Sequence, residues 1–349
     1  MIEQDLSLSL QAQVLQAIAN ATPLNIIGGN SKAFYGSPST ATERLELGGH
    51  TGIIAYEPSE LVITARSGTP LHAVETLLTE HGQMLAFEPP HFSPHATLGG
   101  TIACGFSGPR RPFTGSVRDF MLGCRIINGH GQVLRFGGQV IKNVAGFDVS
   151  RLMVGALGQL GVLLDVSLRV LPKPEAEITL CYPATGAQSA LDLMQRWQNQ
   201  PWPLSALCFI DDAIRVRLSG AEAAIQAAAQ KLGGEIDSQG THFWQALREQ
   251  QLPFFQGAQS LWRISQPPAT PPLDLSGDWL LDWGGAQRWL KSSEPAARIH
   301  AIAQENLGHA VCFRGYDKTD WLRLEPGLVA LHQKIRYAFD PYGLFNPLP

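Results

Sequence analysis

Cysteine, charge and long apolar runs are all scarce in this sequence. Its 349 residues include five cysteines, at Cys104, Cys124, Cys181, Cys208 and Cys312. No two are spaced as C-x-x-C, which excludes a zinc or iron–sulfur site of that pattern. Odd, scattered cysteines point to buried thiols in a reducing compartment. Charged residues make up 16% of the chain and the formal net charge is −4. No basic run appears, which argues against a nucleic-acid partner. The most apolar stretch, VGALGQLGVLLDVSLRVL, is broken by Asp165 and Arg169, so no segment is expected to span a bilayer. The opening MIEQDLSLSL is acidic and lacks the apolar core of a signal peptide. With neither G-x-S-x-G nor H-E-x-x-H present, hydrolase chemistry has no support.

Glycine is what the chain has in excess, 35 residues, much of it between Gly28 and Gly161. The length suggests two domains. Helices are expected at SLQAQVLQAIANAT and at TPLHAVETLLTEHG. In the second, Thr69 is placed to cap, Pro70 fits the first turn, Gly82 fits the exit, and Leu71, Val74, Leu77 and Leu78 share a face. LNIIGG reads as a buried strand, GIIAYEPSELVITARSG as strands turning at Pro58, and GCRIINGHGQVLRFG as a hairpin. Gly155, Gly158 and Gly161 invite a dinucleotide reading, but their spacing is G-x-x-G-x-x-G. DVSRLMV before them reads as helix and VLLDVSLRVLP after them alternates as a strand. Helix, glycine turn, strand is the reverse of a Rossmann unit, so that reading is rejected. LPKPEAE, residues 171–177, marks a domain boundary. Beyond it, strands ITLCYP, LSALCFI and AIRVRLS and helices QSALDLMQRWQ and EAAIQAAAQKLG predict an antiparallel sheet with helices on one side. SQPPATPPLDLSG is read as a proline-rich loop, and EPAARIHAIAQENLG and PGLVALHQKIRYAF as later helices.

Three glycine segments stand in the first half: IIGGNSKAFYG, TLGGTIACGFSGPRRPFTGSVRDF and the Gly155–Gly161 turn. Successive glycine-rich peptides aim N–H groups inward, and Asn, Ser and Thr add donors, which suits a diphosphate. Together they suggest one long anionic cofactor held from several sides; a turn-rich β domain with ordinary glycines is the plain alternative.

These segments, with ELVITARSGTPL, EPPHFSPHATLGG, KNVAGFDVSRLMVGALGQLGVL and the tail FDPYGLFNP, resemble the vanillyl-alcohol oxidase / p-cresol methylhydroxylase (PCMH-type) flavoproteins. The resemblance runs nearly end to end and is strongest to smaller flavin subunits in the D-2-hydroxy-acid dehydrogenase branch. It implies an α+β fold: a PCMH-type FAD-binding domain of two α/β subdomains over residues 1–173, then a cap domain over 174–349. The tail from about residue 337 would return to the flavin domain. It implies FAD as cofactor. Gly28, Gly29, Asn30 and Ser31 would wrap the pyrophosphate. Pro89, Thr97, Gly99, Gly100 and Thr101 would line flavin and diphosphate, and Ser107, Gly108, Gly115 and Ser116 would continue that wall. Gly155, Gly158, Gly161 and Val162 would lie by the adenosine half, and Asn346 would reach back toward the ring. GGNSKAF holds no histidine for covalent attachment, so FAD is expected to be non-covalent.

Catalytic members of that branch carry a GHxGDGNxH-like metal stretch and an EHGxG stretch. The corresponding LGHAVCFRGYD and DWLRLEPG keep only His309. A lone histidine cannot assemble a divalent site, so no metal is expected and His309 is read as structural. Arg263 in LWRIS resembles an arginine that pairs with the substrate carboxylate, a match for the guanidinium fork; an arginine on an exposed strand is the even alternative. Lys142 divides equally between anion contact and solvation, and the Arg110–Arg111 pair between phosphate and an exposed face toward a partner. His91 and His95 are kept off a common helix face by Pro90 and Pro94. Trp283 and Trp289 are read as core or interface.

The implied function is oxidation of glycolate, with D-lactate as a second substrate candidate, to the 2-oxo acid within a complex. The partners would be a larger homologous FAD subunit with an intact metal motif and an iron–sulfur subunit. The location would be the cytoplasm, or the inner face of the membrane within the complex, with at most peripheral contact. This chain would relay electrons or support assembly. Two alternatives stand beside it: a self-sufficient FAD-dependent D-2-hydroxy-acid dehydrogenase, and a structural subunit without FAD.

Overall fold

The computed structural model describes residues 3–37, 41, 43–138, 148–315 and 321–346. Lys142 lies outside the described residues. The chain divides into two compact units: Met1–Ser107, Ser116–Pro172 and Leu324–Pro349 in the first, and Gly108–Gly115 with Lys173–Arg323 in the second. The second unit thus takes eight residues from within the span that the sequence assigns to the flavin domain. The first takes back the C-terminal helix as well as the tail. Among the described residues no helix is long and apolar enough to cross a membrane.

In chain order the first unit begins with α1 (Ser7–Ala19), β1 (Leu24–Ile27), β2 (Glu43–Glu46), β3 (Ile53–Glu57) and β4 (Val62–Arg66). Then come α2 (Leu71–Glu80), β5 (Gln83–Met84) and α3 (Leu98–Cys104). Helix α4 (Arg111–Thr114) belongs to the second unit. The first unit resumes with α5 (Val117–Phe120), the hairpin β6 (Met121–Ile127) and β7 (Val133–Gly137), α6 (Val149–Leu152), β8 (Val162–Arg169) and β9 (Leu171–Pro172). β1 and β2 pair in parallel. A five-stranded antiparallel sheet has the order β3-β4-β8-β6-β7.

β8 is the middle strand, and it is buried on both faces rather than one. Its off-face polar residues are matched: Ser167 Oγ meets Thr64 Oγ1 at 2.8 Å, and Asp165 accepts from Arg125 Nε at 2.6 Å. Buried polar groups persist where they find such partners. In α2, Leu71, Val74 and Leu78 are buried, and Leu77 packs at the edge of the same core. Thr69 does not cap this helix. Its hydroxyl instead receives Gly52 N–H at 3.0 Å, leaving Pro70 at the helix start.

A second core in this unit explains the tail. Leu10, Val14 and Ala17 of α1 pack with Leu24, Leu45, Val162 and Leu164, and with Leu344 and Phe345 from the C-terminus. Leu24 N–H donates to Leu344 O at 2.8 Å. Buried Asp340 accepts from the N–H groups of Leu344 and Phe345 at 2.8 and 2.9 Å.

The second unit carries β10 (Ala176–Pro183), α7 (Gly186–Gln198), β11 (Leu204–Ile210), β12 (Ala213–Gly220), α8 (Glu222–Leu232), β13 (Glu235–Ile236) and α9 (Gly240–Arg248). It continues with β14 (Leu261–Ser265), β15 (Asp278–Asp282), β16 (Gln287–Lys291), α10 (Ala296–Glu305) and β17 (His309–Arg314). The eight strands form one antiparallel sheet, β13-β10-β12-β11-β15-β16-β14-β17. The C-terminal helix α11 (Pro326–Phe339) belongs to the first unit. Residues 266–277, the proline-rich stretch, hold no strand or helix. The loop is braced by Arg288, a fully buried guanidinium that donates to Gly285 O at 3.0 Å, to Pro271 O at 2.7 Å and to Thr270 O. Burial lowers the Arg288 pKa to about 10.

Candidate functional site

A cavity of about 400 Å³ lies in the first unit, walled by β1 and the loop after it, Ser67, the start of α3, the turn through Leu157–Gly161 and Asn346. Its glycines allow these segments to touch. A side chain on Gly29 would overlap the carbonyl of His95, and one on Gly28 would come within 2.5 Å of Thr97 Oγ1. A Cβ on Gly99 would lie 2.6 Å from that of Ser67. Gly158, at φ +76°, leaves a Cβ only 2.9 Å from Asn346 Nδ2. Glycine backbone thus packs directly on the His95 carbonyl and on the Thr97, Ser67 and Asn346 side chains, and bulkier residues would push these segments apart.

Asn346 ties two of these walls together. Its Nδ2 donates to Leu157 O at 2.8 Å and its Oδ1 accepts from Ile26 N–H at 3.2 Å. Leu157 has φ +52°, an uncommon conformation for a branched side chain, and its N–H is bonded to Ala103 O at 2.9 Å. Thr97 caps α3 by accepting from Gly100 N–H at 3.3 Å.

Among the described residues the charge in the lining is of one sign: Lys32 and Arg44 contribute, and no Asp or Glu does. Lys32 is 7% exposed, held by Ser31 Oγ at 3.2 Å and His91 O at 3.3 Å, with its ammonium 5.8 Å from the Phe92 ring centroid. Ser67 is 2% exposed, and its Oγ meets no hydrogen-bond partner among the described residues. Glycine-rich backbone, the cations Lys32 and Arg44, no carboxylate among the described lining residues and an unmatched buried hydroxyl together fit an anionic dinucleotide.

Of the residues singled out from the sequence, Gly28, Gly29, Asn30, Ser31, Thr97, Gly99, Gly100, Gly158, Gly161 and Asn346 converge on this cavity. Others in the same unit have structural places outside its lining. Pro89 and Thr101 are buried, the Thr101 hydroxyl bonded to Thr97 O at 3.0 Å. Ser107 Oγ accepts from Val117 N–H at 3.2 Å, and Ser116 forms a capping box with Asp119 at the start of α5. Gly155 N–H bonds to Ile102 O, and Val162 is core. Gly108 and Gly115 fall in the second unit.

There, Arg110 and Arg111 differ. Arg110 is buried and meets Glu177 Oε2 at 2.6 Å, whereas Arg111 is exposed, its guanidinium 4.3 Å from the Trp283 ring centroid. Trp283 and Trp289 are buried. Arg263 is half-buried on β14, 5.6 Å from the Phe313 ring centroid. His309 is exposed at the start of β17, opposite Ser265. Among the described residues no group of three or more His, Cys, Asp or Glu is placed to hold a metal ion. In the first unit His91 pairs with Glu75 at 2.8 Å, while His95 is exposed.

Sequence reasoning missed Lys32, Arg44 and Ser67 as lining residues. Lys32 had a signal, as the first cation after the glycine pair in GGNSK. Ser67 had none, because its role comes from the approach of α3.

Residues 8–137 match the FAD binding domain family. Glycolate oxidase subunit GlcE of Escherichia coli is 52% identical over 345 residues, covering 99% of this chain and 97% of that protein. This chain belongs to the GlcE family. Glycolate oxidase subunit GlcD of Bacillus subtilis is 38% identical over 85 residues, 24% of this chain and 18% of its own length. A solved structure of alkyldihydroxyacetonephosphate synthase superposes with a TM-score of 0.66 at 13% identity, covering 97% of this chain and 74% of that one, which shows a shared fold. The α+β architecture of this GlcE-family chain is thus the PCMH-type one, with FAD as the cofactor of its binding domain.

Proposed function

We propose that this GlcE-family chain is the FAD-binding subunit of a glycolate oxidase complex and holds FAD non-covalently in the first-unit cavity. The observation that carries the reading is the convergence of glycine-walled loops on a cavity whose described lining holds Lys32 and Arg44 and no carboxylate. The backbone of Gly28–Ser31 and Thr97–Gly100 would take the diphosphate with Lys32 and Arg44. Gly158, Gly161 and Asn346 would close the opposite wall. FAD, when bound, supplies two-electron acceptor chemistry; the chain's residues bind it, orient it and neutralise its charge.

Substrate chemistry is assigned mainly to a larger homologous flavin subunit, because the metal-motif residues are missing here apart from His309. Glycolate is the proposed substrate and D-lactate the second, with an iron–sulfur partner taking the electrons onward. The complex is placed in the cytoplasm, with at most peripheral membrane contact. Arg263 is retained as the candidate contact for a substrate carboxylate.

The test is anaerobic mixing of the purified chain with glycolate, followed by visible absorbance. The chain alone should keep its flavin oxidised, and adding the larger subunit should allow reduction. Rapid bleaching of the isolated chain would instead make it a self-sufficient dehydrogenase. A folded protein that takes up no FAD would make it a structural subunit.

A further inference from the structure

Ser67 follows β4 at the floor of the cavity. Its backbone is fixed on both sides: Ser67 N–H donates to Leu164 O at 2.8 Å, and Gly99 N–H donates to Ser67 O at 2.7 Å. Gly99 approaches so closely that a Cβ there would sit 2.6 Å from Ser67 Cβ and 3.0 Å from its carbonyl oxygen. The side chain therefore rides on a position that cannot drift. Yet its hydroxyl, nine-tenths buried and more, has no partner among the described residues. Other buried hydroxyls nearby do not share this state. Thr64 Oγ1 pairs with Ser167 Oγ, Thr69 Oγ1 with the Gly52 backbone, and Thr101 Oγ1 with Thr97 O. A buried hydroxyl left unmatched costs stability, so its retention at a cavity wall indicates a partner from outside the chain.

We propose that the Ser67 hydroxyl donates a hydrogen bond to an oxygen or ring-nitrogen acceptor of bound FAD, making Ser67 a cofactor-positioning residue. This rests on the reading of the cavity as the FAD site. The hydroxyl is then a feature of the loaded protein: it lowers the stability of the empty chain and raises its affinity for FAD. A hydroxyl kept for structure would do the reverse on the first count.

The experiment compares wild type, Ser67→Ala and Thr64→Ala. Each is stripped of flavin, and thermal melting of the empty chain and equilibrium titration with FAD are measured. Ser67→Ala should melt at or above the wild-type temperature while binding FAD roughly three- to tenfold more weakly, the range for one neutral hydrogen bond. Thr64→Ala, which breaks an internal pair outside the cavity, should melt lower with unchanged affinity per folded chain. Unchanged FAD affinity in Ser67→Ala, or a lower melting temperature of its empty form, would overturn the assignment. Failure of wild type itself to bind FAD would remove the underlying cavity reading, a distinct outcome.

Discussion

Asn346 donates from Nδ2 to the carbonyl of Leu157 across 189 residues of sequence, at 2.8 Å. The same carboxamide accepts from Ile26 N–H. One side chain near the C-terminus thus pins β1 to the glycine turn on the far side of the cavity, and holds Leu157 in its left-handed conformation.

Replacing it should loosen both walls. Asn346→Ala leaves a carbonyl and an N–H without their partner and should destabilise the first unit by about 1–3 kcal/mol. Urea unfolding followed by far-ultraviolet circular dichroism measures this. FAD affinity should fall in the same variant, because the turn carrying Gly158 loses its anchor.

Glycine substitutions should sort by what the added methyl meets. Gly29→Ala places it on the His95 carbonyl, backbone that cannot swing aside, so FAD uptake should be lost or the soluble yield should collapse. Gly82→Ala meets nothing within 4 Å and carries only its φ of +65°, so it should cost about 1 kcal/mol and leave FAD binding intact. Expression yield and flavin content per chain separate the two.

Lys32→Met keeps the length and apolar stem of the side chain and removes its charge. FAD affinity should fall roughly tenfold, the scale of a charge-assisted hydrogen bond. Because Lys32 is buried, the difference between variant and wild type should persist in moderate salt, whereas any contribution from exposed Arg44 should be screened. Titrations at two salt concentrations measure both.

His50 sets an acid limit. It is fully buried, with Nδ1 accepting from Leu6 N–H at 3.0 Å. Burial lowers its pKa from 6.5 against the opposing pull of Asp5, with Arg66 lowering it further. The folded state then binds fewer protons than the unfolded one. Stability is full above the unfolded value of 6.5 and falls as pH drops below it toward the depressed folded value. Melting temperature should decline from pH 7.5 to 5.5, and His50→Gln should flatten that part of the decline. Asp5, lowered to about 2 chiefly by hydrogen bonds from Ser7, adds a loss only as pH falls below about 4.

Much of the first unit was legible because its signals are local. The helix–glycine turn–strand order around Gly155–Gly161 excludes a Rossmann turn, and α6 and β8 appear in that order. The hairpin at Asn128–Gly131 and the apolar face of α2 need only neighbouring residues. The illegible parts depend on distant chain. β2, reading ERLE, has no alternating apolar pattern and exists by pairing with β1. Thr69 looked like a cap because Gly52, its true partner, is 17 residues away. Arg110 divides in the sequence between phosphate and an exposed face because Glu177, 67 residues on, could not be foreseen as its partner. Within the site, glycines announce themselves by composition. Ser67 and Arg44 are brought to the cavity only by packing.

The most direct test of the cavity is the chromophore itself. The purified chain should be yellow, acid should release the colour completely, and mass spectrometry of the released compound should give FAD, with Gly29→Ala prepared in parallel lacking it. A colourless wild-type protein that is folded and gains no flavin absorbance when titrated with FAD would contradict the account.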